Sequence, residues 1–392
     1  MSEENSLDRV FAEYDHRDHE SVYNPWPRWK KLQSGPALTY SEKYDGFHVA
    51  SRYNEVCEIA RDPQIFSSHL KQTTIPTLVT PPFPPINYDP PDHLFYRVIL
   101  NPFFTPGKVA AHEAMVRSMA AKYIEPLLAS DGFDVPTQLG IPLTREVILK
   151  LMGIADCPAE VNKWADDLIF LYEPEKAAAN LMGFLAAEVA KRRANPGDDV
   201  MSGLVTAEVR GRSLDDSEIL RMSLLLLLAG LDTTNSAISG SIWYFVQHPE
   251  ARKELLAADD TTWRLAMDEL VRWVSPAPAQ ARTARNDTAV GGCPMKEGEM
   301  VMLLFGAANR DATEFPDPDS VVLNRFPNRH LGFGMGPHRC LGSHLAKLEL
   351  QIVLQALLPS LDQFELSDPN AVVWEGASVR GIRALPLTRK KK

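Results

Sequence analysis

The chain has 392 residues, 45% of them hydrophobic, and sets 51 acidic side chains against 41 Lys and Arg for a formal net charge of −10. That length and apolar content allow a large buried core, and the acidic balance argues against a nucleic-acid partner. Four cysteines, Cys57, Cys157, Cys293 and Cys340, stand far apart with no CxxC pair, which excludes an evident zinc pattern, disfavours a disulfide framework and points to a reducing, cytoplasmic setting.

Residues 1–10 hold acids and no apolar run, so no signal peptide or anchor is expected. The longest uninterrupted apolar run, 224–231, is far short of the ~20 residues that span a bilayer, so no membrane attachment is expected. A helix over 26–34 ends at Gly35-Pro36, and alternation at 37–40 and 47–50 predicts a two-stranded piece. Residues 51–61 read as a helix stopped by Asp62-Pro63; 67–89 is proline-rich, apolar and without a period. Asp89-Pro90-Pro91-Asp92 starts a helix on which His93 and Arg97, four apart, share a face. Further helices are predicted over 109–130 and 142–152, and over 160–195 with a break near Glu173-Pro174.

A long helix opens at Ser213-Leu214-Asp215-Asp216 and runs to Gln247, where His248-Pro249 stops it. Its middle, 224–228, is apolar all round, which means burial. Inside that stretch lies Ala229-Gly230-Leu231-Asp232-Thr233-Thr234. Glycine, an acid and two β-branched hydroxyl residues are poor helix formers, and a buried carboxylate is costly without a partner. Such a broken local rule marks function, or else an Asp that caps and two Thr that bond back to carbonyls. Glu269 and Arg272 stand one turn apart, a spacing that also suits an ordinary exposed ion pair. Residues 277–281, after Ser275-Pro276, should be extended, and 290–304 looks like a hairpin around Pro294 and Gly298.

The run Phe333-Gly334-Met335-Gly336-Pro337-His338-Arg339-Cys340-Leu341-Gly342 leads into a helical repeat at Leu341, Leu345, Leu348 and Ile352. Its glycines permit a tight turn and Pro337 stiffens it. Cys340 then stands at the helix start, where free N–H groups and the dipole favour a thiolate. A lone Cys at a turn is also often a small buried hydrophobe.

Taken together, the Gly230–Thr234 motif, the Glu269…Arg272 pair and the Cys340 loop, in this order, resemble the cytochrome P450 family over nearly the whole chain, from about Tyr14 to Arg383. The resemblance implies a mainly α protein with small β-sheets, the cytochrome P450 fold. It implies one domain over 1–392, with flexible tails at 1–13 and 387–392. It implies haem b (iron protoporphyrin IX) with Cys340 as axial thiolate and metal ligand, Phe333 and Gly334 in the loop beneath it, and Ala229 and Gly230 beside it. Gly230 is expected to leave space for a small ligand. His93, Arg97, Arg282 and His338 are implied as propionate partners. Asp232 and Thr233 are implied as the catalytic acid–alcohol pair that brings protons to the cleavage of O2. Glu269, Arg272 and Arg325 are implied as a structural triad.

The activity implied is monooxygenation of a small apolar molecule. Pocket candidates are 75–86, 225–229, 277–281 and Trp374, the last equally suited to plain core; they are largely apolar, so a compact aromatic or terpenoid is expected. Lys71 offers a carboxylate partner or is simply exposed. Residues 160–195 are implied as lid helices. Electrons should come from a separate ferredoxin with its reductase, with Arg329, Arg339 and Lys347 as anchors for an acidic partner, and the protein should be a cytoplasmic monomer. A peroxide-driven peroxygenase of the same fold would typically lack the acid–alcohol pair. A haem-binding sensor or carrier without turnover is the reading from another class.

Overall fold

The computed structural model describes residues 11–77, 81–169, 172–376 and 378–391. They group into two compact units: the described parts of Met1–His93, Asp268–Cys340 and Glu375–Arg380, and those of Leu94–Met267, Leu341–Trp374 and Gly381–Lys392. Of the expected pocket segment 75–86, residues 78–80 lie outside the described residues. So do 1–10 and Lys392 of the expected tails.

The first unit is organised by a five-stranded sheet in the order Leu38–Ser41, Phe47–Ala50, Met300–Leu303, Gln280–Ala284, Phe66–Ser67. The first two strands form the predicted antiparallel piece, and Met300–Leu303 joins Phe47–Ala50 in parallel with Val301 opposite His48. Residues 280–284 are extended as expected and pair antiparallel with Met300–Leu303, Met302 opposite Ala281. Met300–Leu303 is buried on both faces, as a central strand requires. One side packs on Val56, Ile59, Phe305 and Leu331, the other on Trp29, Leu32, Phe47 and Leu304. The hairpin expected around Pro294 and Gly298 is corrected. Thr288–Val290 pairs with Cys293–Met295, so the turn is Gly291-Gly292, both at positive φ (53° and 82°), and Pro294 sits inside a strand. Only a residue pair free of Cβ crowding takes that two-residue turn cheaply. Among the described residues, 68–91 contains no helix or strand.

The second unit is helical around two segments, Asp216–Leu231 and Thr233–Gln247. Asp215 and Glu218 start the first with a reciprocal cap, each side chain bonding the other's backbone N–H at 2.8 and 2.9 Å. The single helix expected to Gln247 is corrected: it is interrupted at Asp232 (φ −113°, ψ −32°). Two carbonyls at the break are taken by hydroxyls, Thr233 Oγ1 donating to Ala229 O at 2.9 Å and Thr144 Oγ1 to Leu231 O at 2.8 Å. By length and composition the 32 residues from Asp216 to Gln247 are apolar enough to cross a bilayer, yet 72% of the apolar window is buried within the protein, as in a core helix. Asp216–Leu231 packs on Ile141–Leu151 and Pro174–Ala194, and Thr233–Gln247 on Ser343–Leu357.

Residues 109–130 form two helices, Pro106–Ala111 and Glu113–Ala129, separated at His112. The break expected near Glu173-Pro174 separates Glu160–Ile169 from Pro174–Ala194. Residues 387–389, expected in a tail, belong to the strand Pro386–Arg389. It pairs between Phe364–Leu366 and Gly132–Asp134, because Leu385 and Leu387, two apart, are both buried.

Candidate active site

Behind the cysteine loop, the first unit buries three charges together. Glu269 and Arg272 are fully buried, and Arg325 is 8% exposed. Arg272 Nε and Nη2 donate to the two Glu269 oxygens at 2.7 and 2.8 Å, and Arg325 Nε donates to both at 3.1 and 3.0 Å. Val322 N and Asn328 Nδ2 complete the carboxylate at 2.8 and 3.1 Å. Burial alone would raise the Glu269 carboxyl, but the Arg272 hydrogen bonds and charge hold it below the ordinary range. The remaining guanidinium donors of Arg272 reach the carbonyls of Asn309, Pro318 and Ser320 at 2.7–2.8 Å. The exposed-pair reading is therefore excluded; this is a buried network in which every Arg272 donor and both Glu269 oxygens are saturated.

Asn309 carries the network forward. Its Oδ1 accepts from Leu331 N at 2.6 Å, two residues before Phe333, and its Nδ2 donates to Ser275 Oγ at 2.9 Å. The loop then turns on Gly334 (φ 65°) and Gly336 (φ 69°), where side chains are strained. At Gly336 a Cβ would lie 2.3 Å from Ala60 O, so the loop also presses on the Tyr53–Arg61 helix. Cys340 N donates to Phe333 O at 2.8 Å, which closes the loop and leaves Cys340 exposed. The helix begins at Ser343, not at Cys340, because Gly336–His338 forms a short 3-10 turn and Gly342 supplies the cap.

Three of the expected anion partners lie in the same unit. The rings of His93 and His338 are 4.4 Å apart, and His338 Nε2 is 3.1 Å from Ser68 Oγ. Arg282 is 3% exposed, its Nη1 donates to the neighbouring Ala281 O at 2.7 Å, and burial pulls its guanidinium down to about 10 against the distant charge of Asp89. Arg97 follows His93 by one turn on the Asp92–Leu100 helix, as expected.

In the second unit Asp232 is 4% exposed, and Arg383 grips both its oxygens at 2.8 and 2.9 Å. Burial raises the Asp232 carboxyl, with Arg383 pulling the other way. Arg145, bonded to Asp166 at 2.7 Å, adds a second nearby positive charge. Ala229 is exposed, while Gly230 corrects an expectation. A Cβ there would meet Ile148 Cγ1 at 2.8 Å, so its missing side chain allows helix packing and does not open space for a ligand.

The family model for cytochrome P450 matches residues 173–373. The Pseudomonas protein cytochrome P450-terp is 32% identical over 398 residues, covering 93% of this chain and 92% of its own. The steroid C26-monooxygenase of Mycolicibacterium smegmatis is 32% identical over 359 residues, 88% of each chain. The chain belongs to the cytochrome P450 family. A Bacillus megaterium P450, CYP109E1, crystallised with testosterone, superposes with a TM-score of 0.86 at 26% identity, over 96% of this chain and all of that one. The mainly helical fold with small sheets is thus the P450 fold, and membership carries haem and O2 as the family's cofactor and co-substrate.

The residues present fit haem. Cys340 offers a lone sulfur donor, and Arg282 is a buried guanidinium with no carboxylate in contact among the described residues, the complement of a propionate. Within this P450, Ile75 and Ile86 of the first expected segment and Ala277, Ala279, Gln280 and Ala281 of the other border one cavity. Trp374 instead packs its ring edge-on against Trp243 at 5.5 Å in the second unit. Lys71 is spent on Gly298 O at 2.7 Å. Sequence reasoning missed Asn309, Arg383 and Arg145. Asn309 had a faint signal in its Asn-Arg-Asp run; the arginines had none, since their partners are remote in sequence.

Proposed function

We propose that this P450 is a monooxygenase that places one atom of O2 in a compact apolar molecule, aromatic or terpenoid, and releases the other as water. All 392 residues are read as one haem-binding domain in a cytoplasmic monomer. Cys340 would hold the iron of haem b through its sulfur, with Phe333 and Gly334 shaping the loop and Ala229 beside the group. His93, Arg97, Arg282 and His338 take the propionates. Haem held there supplies dioxygen activation, favoured by an electron-rich thiolate.

The chain's own residues supply position and protons. Thr233 spends its hydroxyl proton on Ala229 O and so presents acceptor lone pairs. Asp232, whose carboxyl is raised by burial against the pull of Arg383, relays a proton onward. Glu269, Arg272 and Arg325 fix the loop and do no chemistry. Electrons arrive from a ferredoxin with its reductase, and Arg329 and Arg339, with Lys347, anchor it.

The observation that carries this reading is the Cys340 loop, held by the buried triad through Asn309. Reduction of haem-loaded protein under carbon monoxide tests it. The red-shifted Soret band of a thiolate-ligated haem is expected; a band at the position of an imidazole- or thiol-ligated haem overturns the reading.

A further inference from the structure

A cavity of about 120 Å³ lies within the first unit. Its lining includes the apolar Ile75, Ile86, Ala281 and Met302, and five polar side chains join them: His16, Thr73, Thr74, Gln280 and Ser378. Nδ1 of His16 and Oγ1 of Thr74 are closed to solvent and have no hydrogen-bond partner among the described residues. The adjacent Thr73 differs, because its Oγ1 accepts from Asn87 Nδ2 at 3.3 Å. Buried polar atoms are nearly always paired, and an unpaired one costs folding free energy. Two such atoms on one cavity, with a half-buried amide from Gln280, mark the place where a ligand's polar group recovers that loss.

The charge around the cavity restricts what that polar group is. Among the described residues, no Lys or Arg lines it. Asp15 Oδ1 stands 4.0 Å from His16 Nδ1, and burial pulls the His16 imidazole down to about 4 against the raising effect of Asp15. An anionic head would therefore meet no counter-ion in the lining, and its desolvation would go uncompensated there. Lys71, the one cation the sequence offered for a carboxylate, lies outside the lining.

We infer that the substrate is a neutral molecule with an apolar frame and a single hydroxyl or carbonyl, which Thr74 and Gln280 hold by hydrogen bonds beside the His16 ring. This rests on the reading of Ile75, Ile86 and the 277–281 strand entry as walls of the substrate pocket, and narrows it from any compact apolar compound. The apolar lining supplies affinity by burial, and the polar corner fixes which end of the molecule lies where. A site with unpaired buried groups also rejects an analogue that cannot pair them, so these residues set specificity.

Calorimetric titration of the haem-loaded protein with tetralin, tetralol, tetralone and tetralin carboxylate tests this without relying on turnover. Tetralol and tetralone are expected to bind at least about ten-fold more tightly than tetralin, and the carboxylate more weakly than tetralol. In Thr74→Val/Gln280→Leu that preference should shrink below about three-fold while tetralin affinity holds within about two-fold. Thr74→Ser, which keeps the hydroxyl, should keep the preference and shows that the site itself is intact. Equal binding of tetralin and tetralone, tightest binding of the carboxylate, no binding of any of the four, or an undiminished preference in the double variant overturns the inference. The carbon monoxide spectrum of the same preparation judges the haem–thiolate reading separately. Its failure alongside the expected preference leaves a binding site for neutral oxygenated ligands and removes only the monooxygenation.

Discussion

Arg383 meets Asp232 through two parallel contacts, Nη1 to Oδ1 at 2.8 Å and Nη2 to Oδ2 at 2.9 Å, at the break between two buried helical segments. Both side chains are largely buried, at 14% and 6% exposed. Removing one partner of such a pair strands the other charge, which typically costs about 3–5 kcal/mol. Arg383→Met is therefore expected to lower stability by that order, and Asp232→Asn/Arg383→Met to recover part of the loss. Urea unfolding of the two single variants and the double variant measures it; additive losses would show that the pair is not coupled.

The same carboxylate gives a pH dependence with a definite sign. Burial raises Asp232 above its ordinary 3.8, so the folded protein binds this proton at a pH where the unfolded chain has released it. The stability this contributes is full below the ordinary value and is lost as pH rises through the raised one. Asp232→Asn removes the titrating group, so its thermal midpoint should fall less than that of the wild type between about pH 4 and pH 7. Parallel curves for the two proteins would contradict the burial effect.

What the sequence made legible was chemistry that forces residue types at fixed spacing within one segment. The cysteine loop, Asp232-Thr233 and Glu269…Arg272 are all of that kind, and so were the helix stops at Gly35-Pro36 and His248-Pro249. Arg383 was invisible because it stands 151 residues from Asp232, and only the fold brings them together. Asn309 was nearly hidden for a similar reason: it serves the loop through Leu331 N, 22 residues away, and the Asn-Arg-Asp run around it does not name that partner. Gly230 shows the converse failure. That a side chain is missing is plain from the sequence, but what the gap faces is decided by Ile148, on another helix.

The triad predicts that arginine is needed at 272 for its shape as well as its charge. Five donors are engaged: two on Glu269 and three on the Asn309, Pro318 and Ser320 carbonyls. Lysine offers a point charge with three donors and cannot span that set. Arg272→Lys should leave buried carbonyls unpaired, at about 1–3 kcal/mol each. The expected outcome is loss of several kcal/mol of stability, read by urea unfolding, together with substoichiometric haem. Wild-type stability in this variant would refute the saturated network.

Arg282 predicts the opposite balance between folding and cofactor. Its guanidinium is buried with no carboxylate in contact among the described residues, so the haem-free protein bears the desolvation alone. Arg282→Leu is expected to leave the haem-free form at least as stable as wild type. Loss of one charged hydrogen-bond partner should still speed haem transfer to apomyoglobin by about ten-fold or more. Thermal unfolding of the haem-free form and the absorbance time course of transfer read the two effects. Unchanged transfer would remove Arg282 from the propionate set.

Gly230→Ala separates packing from ligand space. A Cβ would stand 2.8 Å from Ile148 Cγ1 and 3.1 Å from Ile148 Cβ, with no flexible chain end to yield. Overpacking of this kind costs about 1–3 kcal/mol, while alanine's helix propensity returns up to about 1 kcal/mol. A net loss of about 1 kcal/mol is expected by urea unfolding. Ile148→Val leaves Cβ in place but removes the methyl of the isoleucine chain end, so it should relieve only part of that loss, whereas Ile148→Ala should relieve more at its own cavity cost. If Gly230 instead cleared room for a small ligand, Gly230→Ala would keep its stability and change the carbon monoxide association rate of the reduced protein, and neither change at Ile148 would matter.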